Sequence, residues 1–385
     1  MVENNNVKKF IGEIFNEIAD GITTGSFGEK VKIGLTVLGS EHGTDEMINA
    51  AKLAKSKYKD FEIVLIGGPK VEGFDVVEVN DPEEGHKKMI ELLDSGYIQG
   101  VVTQHFDFPI GVSTVGKVVT PGKGKDMLIA TTTGTTSSNR VEGMILNTIA
   151  GISVAKSLGI ENPKVGILNI EGARKVENLL NELKENGYNI EFAQSGRADG
   201  GAVMRGNDLL AGTPDVMICD SLTGNLLVKM FSSFTTGGYY ETVGAGYGPG
   251  IGEGYKYLVN IVSRASGAPL ICEALRYSAS CAQKKVLNVV DSEYKKAREC
   301  KLEEIISKAT AEKKKDTEEV VAPPKKVVTE QISGIDILEL EDACKALWKK
   351  GIYSESGMGC TGPIVLVSKE DSSSAMDILK QEGYK

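Results

Sequence analysis

The sequence predicts an α/β fold built on a mostly parallel sheet, with a small α/β segment at its C-terminus. Three observations carry this. Strand-like and helix-like runs alternate from about residue 30 to residue 220. Several of the strand-like runs are continuously apolar rather than alternating, as expected of a sheet covered on both faces. A charged, proline-containing stretch near residue 320 then separates the bulk of the chain from a short tail with its own strand and helix pattern.

In chain order, the strand candidates are Val31–Leu38, Glu62–Ile66, Asp75–Val79, Gly100–Thr103 and Met127–Ala130, then Lys164–Ile170, Asn189–Ala193 and Val216–Cys219. Between them lie the helical stretches Asp45–Ser56, Pro82–Leu93, Val141–Leu158 and Arg174–Glu185. Loops at the carboxyl ends of such strands are where α/β sheets bind ligands. Beyond Ser221 a helix over Asn225–Phe234 leads into a glycine-rich stretch, Gly237–Gly254. Its Gly246-Tyr-Gly-Pro-Gly-Ile does not follow a strand directly, so it is not a dinucleotide fingerprint, and the stretch reads as a mobile flap or a partner-contacting segment. A short strand, Leu258–Val262, and a long helical tract beyond Ala265 follow. The expected boundaries are a main unit over 1–309, a linker over 310–331 and a C-terminal segment over 332–385. The last has a helix over Glu339–Lys349, a polar loop over Gly351–Pro363 carrying Cys360, a strand over Ile364–Val367 and a helix over Ser373–Glu382.

Composition excludes several classes. A net charge of −9 argues against a nucleic-acid binder, which carries a basic face. No run approaches the roughly 18 apolar residues of a membrane span. The polar start MVENNNVKKF does not read as a signal peptide. Six cysteines without CxxC pairing fit a reducing cytoplasm better than a disulfide framework. Three histidines in unrelated contexts show no metal-ligand spacing, so no metal is expected.

Four groups of residues can carry chemistry. Asp220 to Lys229 spans a strand-to-helix junction, where free N–H groups favour an anion. Thr223, Gly224, Asn225 and Lys229 either hold that anion or simply cap the helix, with Lys229 on a solvated face. Ser263, Arg264 and Ser266 sit at a second such junction, and either surround a phosphate or form a loop whose arginine pairs with a surface carboxylate. Arg205 and Asp208 form a third group, read as a surface pair or as an arginine held in place for a ligand. Cys360, in Gly357-Met-Gly-Cys-Thr-Gly-Pro363, is either an acyl-carrying thiol among backbone donors or a small core residue at a turn. The other five cysteines lie in apolar elements and read as small hydrophobes. The stretches Gly39–Gly43 and Thr131–Ser138 read equally as cleft walls or capping loops.

Cys219-Asp-Ser-Leu-Thr-Gly-Asn-Leu-Leu-Val-Lys229 resembles the D-G-F-x-G-N-x-x-L-K stretch of the PlsX-type phosphate acyltransferases. These enzymes belong with the phosphotransacetylases. The resemblance, over roughly residues 30–300, implies an isocitrate dehydrogenase-like αβα sandwich. Ser221-Leu222 stands where that family has Gly-Phe, which puts a long acyl pocket in doubt and suits an acetyl group. Over essentially the whole chain, Val262–Pro269, the proline-containing linker and the Cys360 loop resemble the alpha subunits of component C of glycine/sarcosine/betaine reductase complexes. That resemblance implies a larger beta subunit as partner and a selenoprotein A that delivers a Se-carboxymethyl group. It implies an acetyl thioester, with Cys360 in acetyl transfer, and inorganic phosphate as co-substrate with no further cofactor. Competing readings are a stand-alone acyltransferase on a soluble thioester, a non-catalytic partner subunit and, last, a metal- and nucleotide-dependent oxidative decarboxylase, for which neither motif is present. A flexible linker of about 21 residues spans on the order of 25 Å, enough for a tethered thiol to reach a cleft.

Overall fold

The computed structural model describes residues 30–196, 200–310, 320–336, 339–359 and 362–385, with isolated positions 12, 14, 15, 18, 19 and 21 ahead of them. Strands β1 (Val31–Thr36), β2 (Phe61–Ile66), β3 (Asp75–Val77) and β4 (Gly100–Thr103) pair in parallel, with Val31 opposite Phe61 and Ile33 opposite Gly100. Period-two alternation sorts their side chains. Ile33, Leu35, Ile63 and Leu65 face helices α1 (Thr44–Lys57) and, later in the chain, Ala268–Gln283; Val64 and Ile66 face α2 (Pro82–Asp94). Burial on both faces is why these strands read as unbroken apolar runs.

The rest of the sheet is built from β5 (Val112–Val119), β6 (Asp126–Thr135), β7 (Lys164–Leu168), β8 (Glu191–Phe192), β9 (Val203–Met204), β10 (Val216–Ile218), β11 (Gly248–Ile251) and β12 (Val259–Ile261). The order is β3-β2-β1-β4-β12-β11-β5-β6-β10-β7-β8, with β9 also on β7, making twelve strands. Two parallel wings meet through an antiparallel centre, β12-β11-β5-β6. Helices α3 (Arg140–Ser157), α4 (Ala173–Glu185), α5 (Gly206–Ala211), α6 (Ser221–Ser233), α7 (Ala268–Gln283), α8 (Val286–Glu299) and α9 (Leu302–Thr310) complete the outer layers. Helices α3, α4, α8 and α9 cover one face of the second wing, and α6 covers the other. This is the expected three-layer α/β arrangement. Among the described residues no helix is long and apolar enough to cross a membrane.

The C-terminal residues form a separate sheet of β13 (Glu330–Ser333), β14 (Ser354–Gly359) and β15 (Gly362–Val367), in the order β13-β15-β14. Helices α10 (Leu340–Lys349) and α11 (Ser372–Gln381) pack on it around Ile332, Leu347, Val365, Val367 and Leu379. The Asp336 carboxylate accepts the Gly172 N–H at 3.1 Å, linking this unit to the start of α4. Cys360 lies outside the described residues.

Two expectations are corrected. Much of the loop expected over 351–363 is strand, because Ser354–Gly359 pairs antiparallel with the apolar β15. The stretch 237–254, expected as a mobile flap or a partner-contacting segment, is exposed at 237–239 but interior further on: residues 245–252 are buried and supply the central strand β11. A Cβ on Gly248, which has φ of 83°, would lie 1.7 Å from the Val115 carbonyl oxygen. Glycine is there to let two backbones touch, not to confer mobility.

Candidate active site

Strand β10 runs into α6 through Asp220, whose carboxylate accepts the Thr223 N–H at 3.0 Å and the Thr223 hydroxyl at 2.8 Å. The helix N-terminus is therefore already closed by its own anion, and Thr223 is committed to it. Gly224 is a packing position: a Cβ there would lie 1.8 Å from the Thr131 carbonyl oxygen. That contact lays α6 directly against β6, and the Asn225 amide donates to the Thr132 carbonyl at 3.1 Å. One turn on, the Lys229 ammonium meets Glu241 Oε1 at 2.9 Å and stands 3.4 Å from Ser263 Oγ.

The turn after β12 is held by its own hydroxyls. Ser266 Oγ accepts the Ser263 N–H at 3.0 Å, and Ser263 Oγ accepts the Ala265 N–H at 3.1 Å. The Arg264 carbonyl accepts the Glu41 N–H at 2.9 Å. The Arg264 side chain is exposed, and among the described residues it takes part in no ion pair.

Asn225, Lys229, Ser263 and Arg264 line one cleft of about 320 Å³, together with Glu41, Gln104, His105, Thr133 and the apolar Phe106, Tyr247, Ile261 and Val262. Four residues singled out from two distant strand-to-helix junctions thus line one cleft. Glu41 and Thr133 show that the Gly39–Gly43 and Thr131–Ser138 stretches also contribute to it. Ser266 lies behind this surface, fully buried. Arg205 is not among the lining residues; it stands at the start of α5. Its neighbour Asp208 is not a surface partner but a buried acceptor, taking the Arg205 and Gly196 N–H groups at 3.0 and 2.9 Å and the Ser195 hydroxyl at 2.7 Å. Burial alone would raise this carboxyl, and the hydrogen bonds outweigh it and hold it below the ordinary value.

Glu241 was not foreseen. It is 1% exposed, does not itself line the cleft, and lies behind it between Lys229 and Ser266. The available signal was that it is the only charged residue between Lys229 and Glu253. Four of the described thiols are poorly suited to acyl transfer. Burial pushes Cys272 up to about 11 and Cys281 up to about 12, and raises Cys219 and Cys344 as well. A cleft lined by a guanidinium, an ammonium, a hydroxyl and an amide, with the Glu41 carboxylate also on its lining, offers donors for a small oxyanion.

The family model described as fatty acid synthesis protein matches residues 31–366. The chain belongs to that family. The glycine/sarcosine/betaine reductase complex component C subunit alpha of Peptoclostridium acidaminophilum is 58% identical to it over 380 residues, 98% of each chain. A phosphate acyltransferase of Thermotoga petrophila is 30% identical over 237 residues, 52% of this chain and 67% of that enzyme. Both resemblances read from the motifs are borne out. A crystal structure of a 4-hydroxythreonine-4-phosphate dehydrogenase from Burkholderia phymatum aligns with 66% of this chain and 98% of its own, at 15% identity and a TM-score of 0.37.

Proposed function

We propose that the chain is the alpha subunit of component C of a glycine/sarcosine/betaine reductase complex, and that it forms acetyl phosphate by phosphorolysis of an enzyme-bound acetyl thioester. The observation that carries this reading is the end-to-end 58% identity to such a subunit, which includes the C-terminal unit. The Thermotoga petrophila acyltransferase matches 52% of the chain, against 98% for that subunit.

The cleft supplies the phosphate. Arg264 and Lys229 hold the anion, Ser263 and Asn225 orient it, and Thr223, Gly224 and Ser266 fix the two junctions on which those groups stand. The acetyl group rides on the Cys360 thiol, brought to the cleft by the 310–331 tether. A phosphate oxygen adds to the thioester carbonyl carbon, with backbone N–H groups stabilising the oxyanion. The C–S bond then breaks, its electron pair stays on sulfur, and acetyl phosphate leaves. Holding phosphate and thioester side by side contributes mainly by replacing a bimolecular encounter. The reaction needs no cofactor beyond phosphate as co-substrate. The partners are the larger beta subunit and selenoprotein A with its Se-carboxymethyl group, in the cytoplasm.

Acetylation from the reverse direction tests this. The chain with its beta subunit is incubated with acetyl phosphate and digested, and the peptides are analysed by mass spectrometry. Acetyl on the Cys360 peptide, removed by inorganic phosphate and by neutral hydroxylamine, is the expected result. Acetyl confined to other residues, or none, contradicts it.

A further inference from the structure

Glu241 is a charged side chain placed where charge is costly. It is 1% exposed and sits in a run of glycine, tyrosine and small residues. A carboxylate in such a place is retained only if it is fully partnered. Its Oε1 meets the Lys229 ammonium at 2.9 Å and the Tyr247 hydroxyl at 3.4 Å. Its Oε2 accepts the Ser266 hydroxyl at 3.2 Å. The backbone fixes it equally: the Glu241 N–H donates to the Ala265 carbonyl at 3.0 Å, and its carbonyl accepts the Gly267 N–H at 2.8 Å. Ser266 Oγ in turn takes the Ser263 N–H at 3.0 Å. One buried carboxylate therefore ties α6 to the turn after β12, the two elements that carry the cleft's cations.

Lysine has three N–H donors. Two of those of Lys229 are directed at Glu241 and Ser263, while the side chain remains 45% exposed and lines the cleft. The third is left for a ligand. We propose that Glu241 is the positioning residue of the phosphate cleft, holding Lys229 with one oxygen and the 263–266 turn with the other so that a Lys229 N–H and Arg264 face the same anion. This rests on the phosphate reading of the cleft. The carboxylate also offsets the Lys229 charge, so the anion is held by geometry more than by excess positive charge.

That last point gives a test in which positioning and charge have opposite signs. Glu241→Gln removes a negative charge beside the site. If charge alone mattered, phosphate would bind more tightly; if Glu241 positions Lys229, it binds more weakly. Inorganic phosphate is titrated calorimetrically into the full chain as wild type, Glu241→Gln, Lys229→Met, the double variant and Ser266→Ala. The expected result is about tenfold weaker binding in Glu241→Gln, the size of a lost hydrogen bond to a charged group. The double variant should fall within about threefold of Lys229→Met alone, because the two residues act through one contact. Unchanged or tighter binding in Glu241→Gln, with wild type binding normally, overturns the proposal and leaves the cleft reading standing. Absence of phosphate binding in folded wild type overturns both. If Glu241→Gln does not fold, Ser266→Ala decides: weaker phosphate binding supports the proposal and unchanged binding overturns it.

Discussion

On the proposed reading, a phosphate entering the cleft would meet two cations in different states. Lys229 already faces Glu241 at 2.9 Å, whereas Arg264 takes part in no ion pair among the described residues. Arg264 should therefore contribute more to phosphate capture. Arg264→Ala is expected to raise the KM for phosphate at least about tenfold, and Arg264→Lys to recover only part of that, because a point charge does not reproduce the guanidinium fork. Initial rates against phosphate concentration check this; a KM unchanged in the alanine variant would remove Arg264 from the site. Elsewhere, the 2%-exposed Glu293 lies between Lys156 and Lys296, each at 2.7 Å. Burial would raise this carboxyl, but the bonds from the two lysines outweigh it and hold it below the ordinary value. A lowered carboxyl contributes stability above its unfolded-state value and loses it as pH falls through the folded one. Stability should therefore decline below about pH 4.5, and Glu293→Leu should cost roughly 3 kcal/mol near neutrality while flattening that acid decline. Urea unfolding across pH measures both.

At the scale of elements, β11 is held by the absence of side chains. Gly248→Ala places a methyl group 1.7 Å from the Val115 carbonyl oxygen at a φ of 83°, and is expected to prevent folding or cost more than about 3 kcal/mol. Gly254→Ala, at φ 68° with nothing within 4 Å, should cost only about 1–2 kcal/mol. Thermal unfolding of the two variants separates steric contact from backbone preference. The same contrast explains what was legible. The strands β1, β2 and β10 announce themselves because apolar residues cover both their faces. Gly-Pro-Gly-Ile does not, since its burial depends on backbone approach that leaves no compositional mark. Ser354–Gly359 reads as a loop because its partner β15 supplies the apolar residues. In the site, Asn225, Lys229, Ser263 and Arg264 were legible as two strand-to-helix junctions. What could not be read was their convergence, nor that Asp220 closes the helix start and that Gly224 is there for packing. Glu241 escaped notice because Lys229 and Ser266, which partner it, lie 12 and 25 residues away along the chain.

The whole molecule consists of a large sheet with a small polar cleft and a C-terminal unit with its own sheet and core. The Asp336–Gly172 hydrogen bond links the two at the start of α4. Asp336→Ala should weaken that attachment by about 1 kcal/mol. Trypsin cleavage within 310–331 should then be faster, and an unchanged rate would show that this bond does not govern the attachment. In the proposed mechanism this unit would serve as an acetyl carrier that collects its group at one site and surrenders it at another. The most direct test of that account is arsenate-dependent hydrolysis of acetyl phosphate by the chain with its beta subunit, since the acyl arsenate formed breaks down in water. Robust activity is expected in the wild type, with its loss in Cys360→Ala and a raised KM for arsenate in Arg264→Ala. Full activity in Cys360→Ala would contradict it and move the acetyl thioester to another thiol.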